Sequence, residues 1–171
     1  MRIGIFGGTF DPVHLGHLEL AQSTLKKFRL DKIYFVPAKS SPFKRSLKSA
    51  PSVHRLSMLK LVLRGRPKFN ISEYELKRPG PSYTIRTVKF FHGRFPKADL
   101  FLIMGKDSYQ GFSKWRESKK IRKTSKHVVG KRKLEISSTQ IRERAKKGLS
   151  LSRLVPKDVE KYIVRNGLYR G

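Results

Sequence analysis

The chain has 171 residues, of which 37% are hydrophobic and 11% aromatic, enough for one domain with a packed core. Forty Lys and Arg against twelve Asp and Glu give a formal charge of +28, a surface that attracts polyanions. The absence of cysteine excludes disulfides, thiolate nucleophiles and Cys-based zinc sites; no apolar run approaches the roughly 20 residues of a membrane span.

The opening Arg2-Ile3-Gly4-Ile5-Phe6 reads as a short buried strand ended by Gly7-Gly8, with no cleavage site or signal-peptide core. A cytoplasmic protein without a membrane partner is therefore expected. Leu18, Ala21, Leu25 and Phe28 recur at helical spacing and predict a helix over Leu15 to Phe28. Lys32 to Val36 is a second strand, stopped by Pro37. The Ser-, Lys- and Pro-rich stretch from Ala38 to Pro51 is a loop. Ser52 to Leu63 is a helix, Phe69 to Ser72 a strand, and Lys77 to Pro81 a turn. A helix over Tyr83 to Phe91 precedes the strongly apolar strand from Asp99 to Met104. Lys126 to Val129 and Lys133 to Ile136 are read as two more strands, and Ser138 to Lys147 and Pro156 to Asn166 as helices. This alternation predicts one α/β domain over residues 1–171, Rossmann-like, with a parallel sheet and helices on both faces. In such sheets ligands bind beyond the carboxyl ends of the strands.

Three strand ends carry candidate chemistry. The first runs Gly7-Gly8-Thr9-Phe10-Asp11-Pro12-Val13-His14-Leu15-Gly16-His17. Its glycines allow close backbone approach, and a helix starting near His14 presents free N–H groups and a positive dipole end. His14 and His17, three apart, share one face of the first turn, an arrangement that suits phosphate oxygens. The glycine spacing is wrong for a dinucleotide fingerprint, no Gly-Lys-Ser/Thr occurs for a P-loop, and the histidines lack metalloprotease spacing.

The second strand end is Glu135-Ile136-Ser137-Ser138-Thr139-Gln140-Ile141-Arg142. Ser137 and Gln140 have capping-box spacing, so a helix starts there. Arg142 is read as a cation in the first turn, facing the positive dipole end, and Arg144, Lys146 and Lys147 add to that conflict. A bound triphosphate would resolve it. The third is Gly105-Lys106-Asp107-Ser108, where Asp107 either holds a sugar hydroxyl or caps the next helix. Trp115, the single tryptophan, sits between Lys114 and Arg116, and a partly exposed ring there could stack on a heteroaromatic base.

Together these segments resemble the HxGH nucleotidyltransferases, and within them the bacterial nicotinate-nucleotide adenylyltransferases. The resemblance extends through Glu75-Leu76-Lys77-Arg78, Pro81-Ser82-Tyr83-Thr84 and the tail Leu154-Val155-Pro156 to Asn166-Gly167-Leu168-Tyr169. It implies transfer of AMP from ATP to nicotinate mononucleotide, giving deamido-NAD and pyrophosphate. By the same resemblance His14 and His17 bind the ATP phosphates with Ser137, Ser138, Thr139 and Arg142. Gly7, Gly8, Thr9 and Phe10 line the nucleotide cleft, with Gly105 and Lys106 near the adenosine. Tyr83 and Thr84 receive the nicotinate carboxylate through their backbone groups, Trp115 stacks on the pyridine, and Asp107 joins the mononucleotide side. Lys44 holds the mononucleotide phosphate. Magnesium (Mg2+) is expected to arrive on the triphosphate with no dedicated protein ligand, and clustered zinc ligands are lacking.

Two departures stand out. The family loop, usually Pro-Pro-His-Lys, is Ser41-Pro42-Phe43-Lys44 here, and the usual long segment before the Ser-Ser-Thr motif is replaced by Gly130-Lys131-Arg132-Lys133 and a short strand. Nicotinamide mononucleotide and phosphopantetheine stay open as alternative acceptors, and the oligomeric state is open. A reading of a different class is a basic RNA- or DNA-binding protein, since Lys114 to Lys133 holds ten Lys or Arg against one acid, Glu117. No stacking platform or nucleic-acid motif accompanies that run, so incidental nucleic-acid affinity is the expectation.

Overall fold

The structure is a computed structural model that describes residues 1–40, 49–130 and 134–170. Five strands, β1 (Arg2–Gly8), β2 (Lys32–Pro37), β3 (Phe69–Ile71), β4 (Asp99–Gly105) and β5 (Lys126–Gly130), form one sheet in the order β3-β2-β1-β4-β5. Every pairing is parallel. The intervening helices are α1 (Leu15–Lys27), α2 (Ser52–Leu63), α3 (Thr84–Arg94), α4 (Lys106–Gln110) and α5 (Ser118–Thr124). Then follow α6 (Ser138–Lys146) and α7 (Lys157–Arg165).

The alternation of side chains along a strand sorts the core into two layers. From β4, Phe101 and Ile103 join Phe6, Ile33, Phe35 and Val128 under α1, α2, α6 and α7. Leu100, Leu102 and Met104 join Ile3, Ile5 and Val36 under α3 and α5 on the opposite face. Both faces are thus covered, the expected α/β architecture. Tight packing reaches the sheet edge: a Cβ on Gly130 would lie 1.8 Å from Cδ1 of Leu20, so α1 seats against β5 only because that side chain is missing. Among the described residues, no helix is long and apolar enough to cross a membrane.

Two sequence expectations are corrected. Helix α3 begins at Thr84 and runs to Arg94, so Tyr83 is its N-cap residue. No strand forms over Leu134 to Ile136, and Lys133 lies outside the described residues. There the Leu134 N–H donates to the Glu19 carboxylate on α1 at 3.3 Å, while Ile136 fills the core from irregular chain. A single buried apolar side chain was enough to imitate a strand.

Candidate active site

The β1–α1 loop delivers both motif histidines to the carboxyl end of the sheet. His14 is the N-cap residue of α1 and only 1% exposed. Its ring stacks on that of His17, with centroids 3.6 Å apart and planes 27° from parallel. The His14 backbone N–H donates to Nδ1 of His17 at 3.3 Å, which leaves the proton of a neutral His17 ring on Nε2. An Nε2–H is a donor suited to a phosphate oxygen. Gly16 makes the stack possible: a Cβ there would lie 3.2 Å from Nδ1 of His14 and 3.4 Å from the Leu134 carbonyl. Below the pair, the buried Phe10 ring packs 5.0 Å from His17 and 5.6 Å from Phe35. Its side chain is a floor for the histidines rather than a cleft wall. Of the N–H groups at the start of α1, that of Leu15 donates to the Leu154 carbonyl, so it is already spent.

Helix α6 docks directly onto this loop. Ser137 caps it, its hydroxyl accepting from the Gln140 N–H at 3.1 Å. The Ser138 hydroxyl donates to the Pro12 carbonyl at 3.0 Å, and Nη1 of Arg142 donates to the Asp11 carbonyl at 2.8 Å. Nη2 of Arg142 reaches the Thr139 hydroxyl at 3.2 Å. His14, His17, Ser138, Thr139 and Arg142 therefore belong to one interconnected region. The dipole argument for Arg142 needs correction. Because α6 starts at Ser138, Arg142 is past the first turn, and Arg144 and Lys146 occupy the last turn, where cations are favourable. A backbone carbonyl holds Arg142 in place, not a dipole conflict.

Of the mononucleotide candidates, Tyr83 and Trp115 pack in the core layer opposite the one that holds Phe10, Val13 and Leu15 of the histidine loop. Tyr83 precedes Thr84 at the start of α3, with the Arg86 and Arg116 guanidinium groups 5.5 and 5.0 Å from its ring centre. Trp115 is half-buried, 5.3 Å from Phe112, and packs with Tyr83 against the same core layer. This segment is bonded to the end of β2: Ser82 N–H donates to the Ser40 carbonyl, and Lys39 N–H to the Ser82 hydroxyl. Gly105 ends β4 beside the end of β1, and Lys106 and Asp107 open α4, both exposed. Gly105 itself holds the N-cap position, so Asp107 does not cap that helix. Lys44 lies outside the described residues. No group of three His, Asp or Glu side chains gathers as a metal site among the described residues.

Four residues in or around the candidate site were given no role from the sequence, although Asp11, Glu75 and Tyr169 lie in segments that carry the resemblance. Arg55 is 2% exposed, yet it donates to four carbonyls: Thr9 at 2.7 Å, Ala38 at 2.8 Å, Ala50 at 3.0 Å and Lys39 at 3.5 Å. It thereby ties the ends of β1 and β2 to the start of α2. Burial pulls its pKa down, and the neighbouring Asp11 charge opposes that. Asp11, 4% exposed, accepts from the Ala50 N–H at 3.2 Å and from the Tyr169 hydroxyl at 2.7 Å. Burial first, then the Asp11 charge, push the Tyr169 phenol far above its ordinary pKa. Glu75 accepts a very short hydrogen bond from Thr87; burial raises its pKa, while bonds from Thr87 and Ser82 pull it back. A cation four residues into α2 was the one sequence signal for Arg55. The partners of Asp11 and Tyr169 are distant in the chain and gave none.

A cytidylyltransferase-like family model matches residues 5–144. A nicotinate-nucleotide adenylyltransferase of Bacillus subtilis is 38% identical, over 98% of this chain and 98% of that protein. The chain belongs to the nicotinate-nucleotide adenylyltransferase family. A Thermus thermophilus relative assigned to the same family is 39% identical, over 99% of this chain and 100% of its own. The fold is shared with a Vibrio parahaemolyticus structure at TM-score 0.85 and 22% identity, covering 99% of this chain and 96% of that one. It is shared also with Plasmodium falciparum nicotinic acid mononucleotide adenylyltransferase complexed with NaAD, at TM-score 0.79 and 19% identity over 98% and 97% of the two chains.

Proposed function

We propose that this chain transfers AMP from ATP to nicotinate mononucleotide, releasing pyrophosphate and forming deamido-NAD. The observation that carries the reading is the docking of the α6 start, with Ser138 and Arg142, onto the loop that holds the stacked His14 and His17. Within this family, that geometry gathers donors and cations where a triphosphate would lie.

The mononucleotide phosphate is an anionic nucleophile at neutral pH, so no strong general base is required. One of its oxygens forms a bond to the α-phosphorus of ATP as the bond to the β-phosphate oxygen breaks, and pyrophosphate leaves with that electron pair. The protein aligns two anions and stabilises negative charge that grows on the α-phosphate and the leaving group. His14 and His17 serve the triphosphate, His17 through Nε2–H. Arg142 spends two of its five N–H donors on Asp11 and Thr139, and those remaining serve phosphate oxygens. Ser137, Ser138 and Thr139 contribute the N-terminal end of α6, and magnesium arrives as part of the ATP substrate. Gly7 to Thr9, with Gly105 and Lys106, border the nucleotide. On the acceptor side, Tyr83 and Thr84 hold the carboxylate, Trp115 covers the pyridine, Asp107 meets a ribose hydroxyl and Lys44 meets the phosphate.

Incubation with ATP and each of nicotinate mononucleotide, nicotinamide mononucleotide and phosphopantetheine, followed by pyrophosphate release, tests the acceptor. Preferred turnover of the nicotinate compound is expected, and turnover with phosphopantetheine alone refutes the acceptor assignment. His17→Ala should lower kcat at least ~100-fold with an unchanged circular dichroism spectrum, as loss of an oxyanion donor does elsewhere. A near-normal rate would remove the phosphate role of His17.

A further inference from the structure

The loop between β1 and α1 is irregular chain tethered from several sides. Arg55 grips its Thr9 carbonyl, Arg142 its Asp11 carbonyl and Ser138 its Pro12 carbonyl. The Asp11 carboxylate is gripped separately, by the Ala50 N–H and by the Tyr169 hydroxyl. The last of these tethers spans 158 positions of sequence and is the shortest of the set at 2.7 Å, together with that of Arg55.

Backbone conformation marks both ends of this bond. Tyr169 has φ 64°, and Phe10, the neighbour of Asp11, has φ 50°. Left-handed conformations of bulky residues cost on the order of 1–2 kcal/mol each. Such strain persists only where surrounding contacts over-determine it, and it concentrates at functional sites. The carboxylate is buried and turned to Tyr169 and Ala50, which makes it a structural anchor for the loop rather than a group for substrate. The phenol keeps its proton well above its ordinary pKa because it is buried against that carboxylate, so the donor is constant across physiological pH.

We infer that Tyr169 is a positioning residue for adenylyl transfer, acting through Asp11 to fix the loop that presents His14 and His17. The inference rests on the phosphate role proposed for those histidines. Asp11 precedes His14 by three residues, and the intervening Pro12 carbonyl is already tied to α6. Loosening the Asp11 end therefore tilts the histidine pair about the α6 contact. A displacement of about 1 Å in an aligned site can lower a rate ~100-fold without loss of binding.

Tyr169→Phe keeps the ring and removes only the hydroxyl. Steady-state kinetics with ATP and nicotinate mononucleotide should show kcat about tenfold lower, with both KM values within about threefold of wild type. Imidazole 1H–15N spectra provide an independent readout. The resonances of His14 and His17 should move while those of His92 and His127 stay in place. Unchanged kcat and unmoved His14 and His17 resonances, with only a lower Tm, would overturn the inference and leave Tyr169 a stability residue. Asp11→Asn supplies the second arm. The double variant should lose no more than the worse single variant, whereas additive losses would mean two unrelated effects and would also overturn it. If wild type fails to use nicotinate mononucleotide, the acceptor reading falls, and the histidine resonances still decide the positioning claim.

Discussion

Replacing Arg55 with methionine removes a buried cation whose hydrogen bonds all end on backbone carbonyls. Three of these bonds, to Thr9, Ala38 and Ala50, are 3.0 Å or shorter. A buried acceptor left without a partner costs about 1–3 kcal/mol, so three give a gross loss of roughly 3–9 kcal/mol. The guanidinium is itself desolvated in the fold, and its removal returns part of that loss. A net destabilisation of about 3–5 kcal/mol follows, and at about 2–4 °C per kcal/mol for a chain of this size Tm should fall by roughly 6–20 °C. Thermal and urea melts of Arg55→Met measure it directly. Arg55→Lys keeps the charge near Asp11 but reaches fewer carbonyls, so it should fall between the two. The two residues are coupled through charge, so Arg55→Met in an Asp11→Asn background should cost less than in wild type. An Arg55→Met protein melting within ~3 °C of wild type would refute the clamp, because the loop ends would then be held by something else.

Two further outcomes follow from the same reasoning. Glu75 has a raised pKa in the fold, so the folded state prefers its protonated form: that stability is full below the ordinary carboxyl pKa and is lost as pH rises through the folded value. Glu75→Gln should therefore raise the urea midpoint at pH 7.5 relative to wild type and lose this advantage near pH 4; an equal effect at both pH values would contradict the burial argument. Gly130→Ala places a methyl group 1.8 Å from Leu20 and should cost about 1–3 kcal/mol by overpacking. Pairing it with Leu20→Ala should recover part of that loss in a thermal melt, and no recovery would place the conflict elsewhere.

The regular elements were readable wherever apolar residues recurred densely enough to define a face. The Leu100 to Met104 run buries every side chain and gave β4 unmistakably, while Leu18, Ala21 and Leu25 gave α1. Helix α5 buries only Ile121 and so left no periodic trace, and Leu134 to Ile136 left a trace with no strand behind it. In the site, His14, His17, Ser138 and Arg142 were accessible because their motifs are local. For Arg142 the dipole reasoning fails, since α6 starts late enough to move it beyond the first turn. Asp11, Arg55 and Tyr169 act through partners up to 158 positions away, and no local spacing encodes such a pairing. Arg55 shows the limit well: an arginine near a helix start reads as solvated surface until its helix is laid against two strand ends.

The tie between residues 11 and 169 also sets an order of events during synthesis. A growing chain can assemble all five strands and both motif histidines while the phenol that steadies them has yet to be made. If Tyr169 positions the loop as proposed, molecules clipped before residue 169 would keep the sheet and both motif histidines but transfer AMP more slowly.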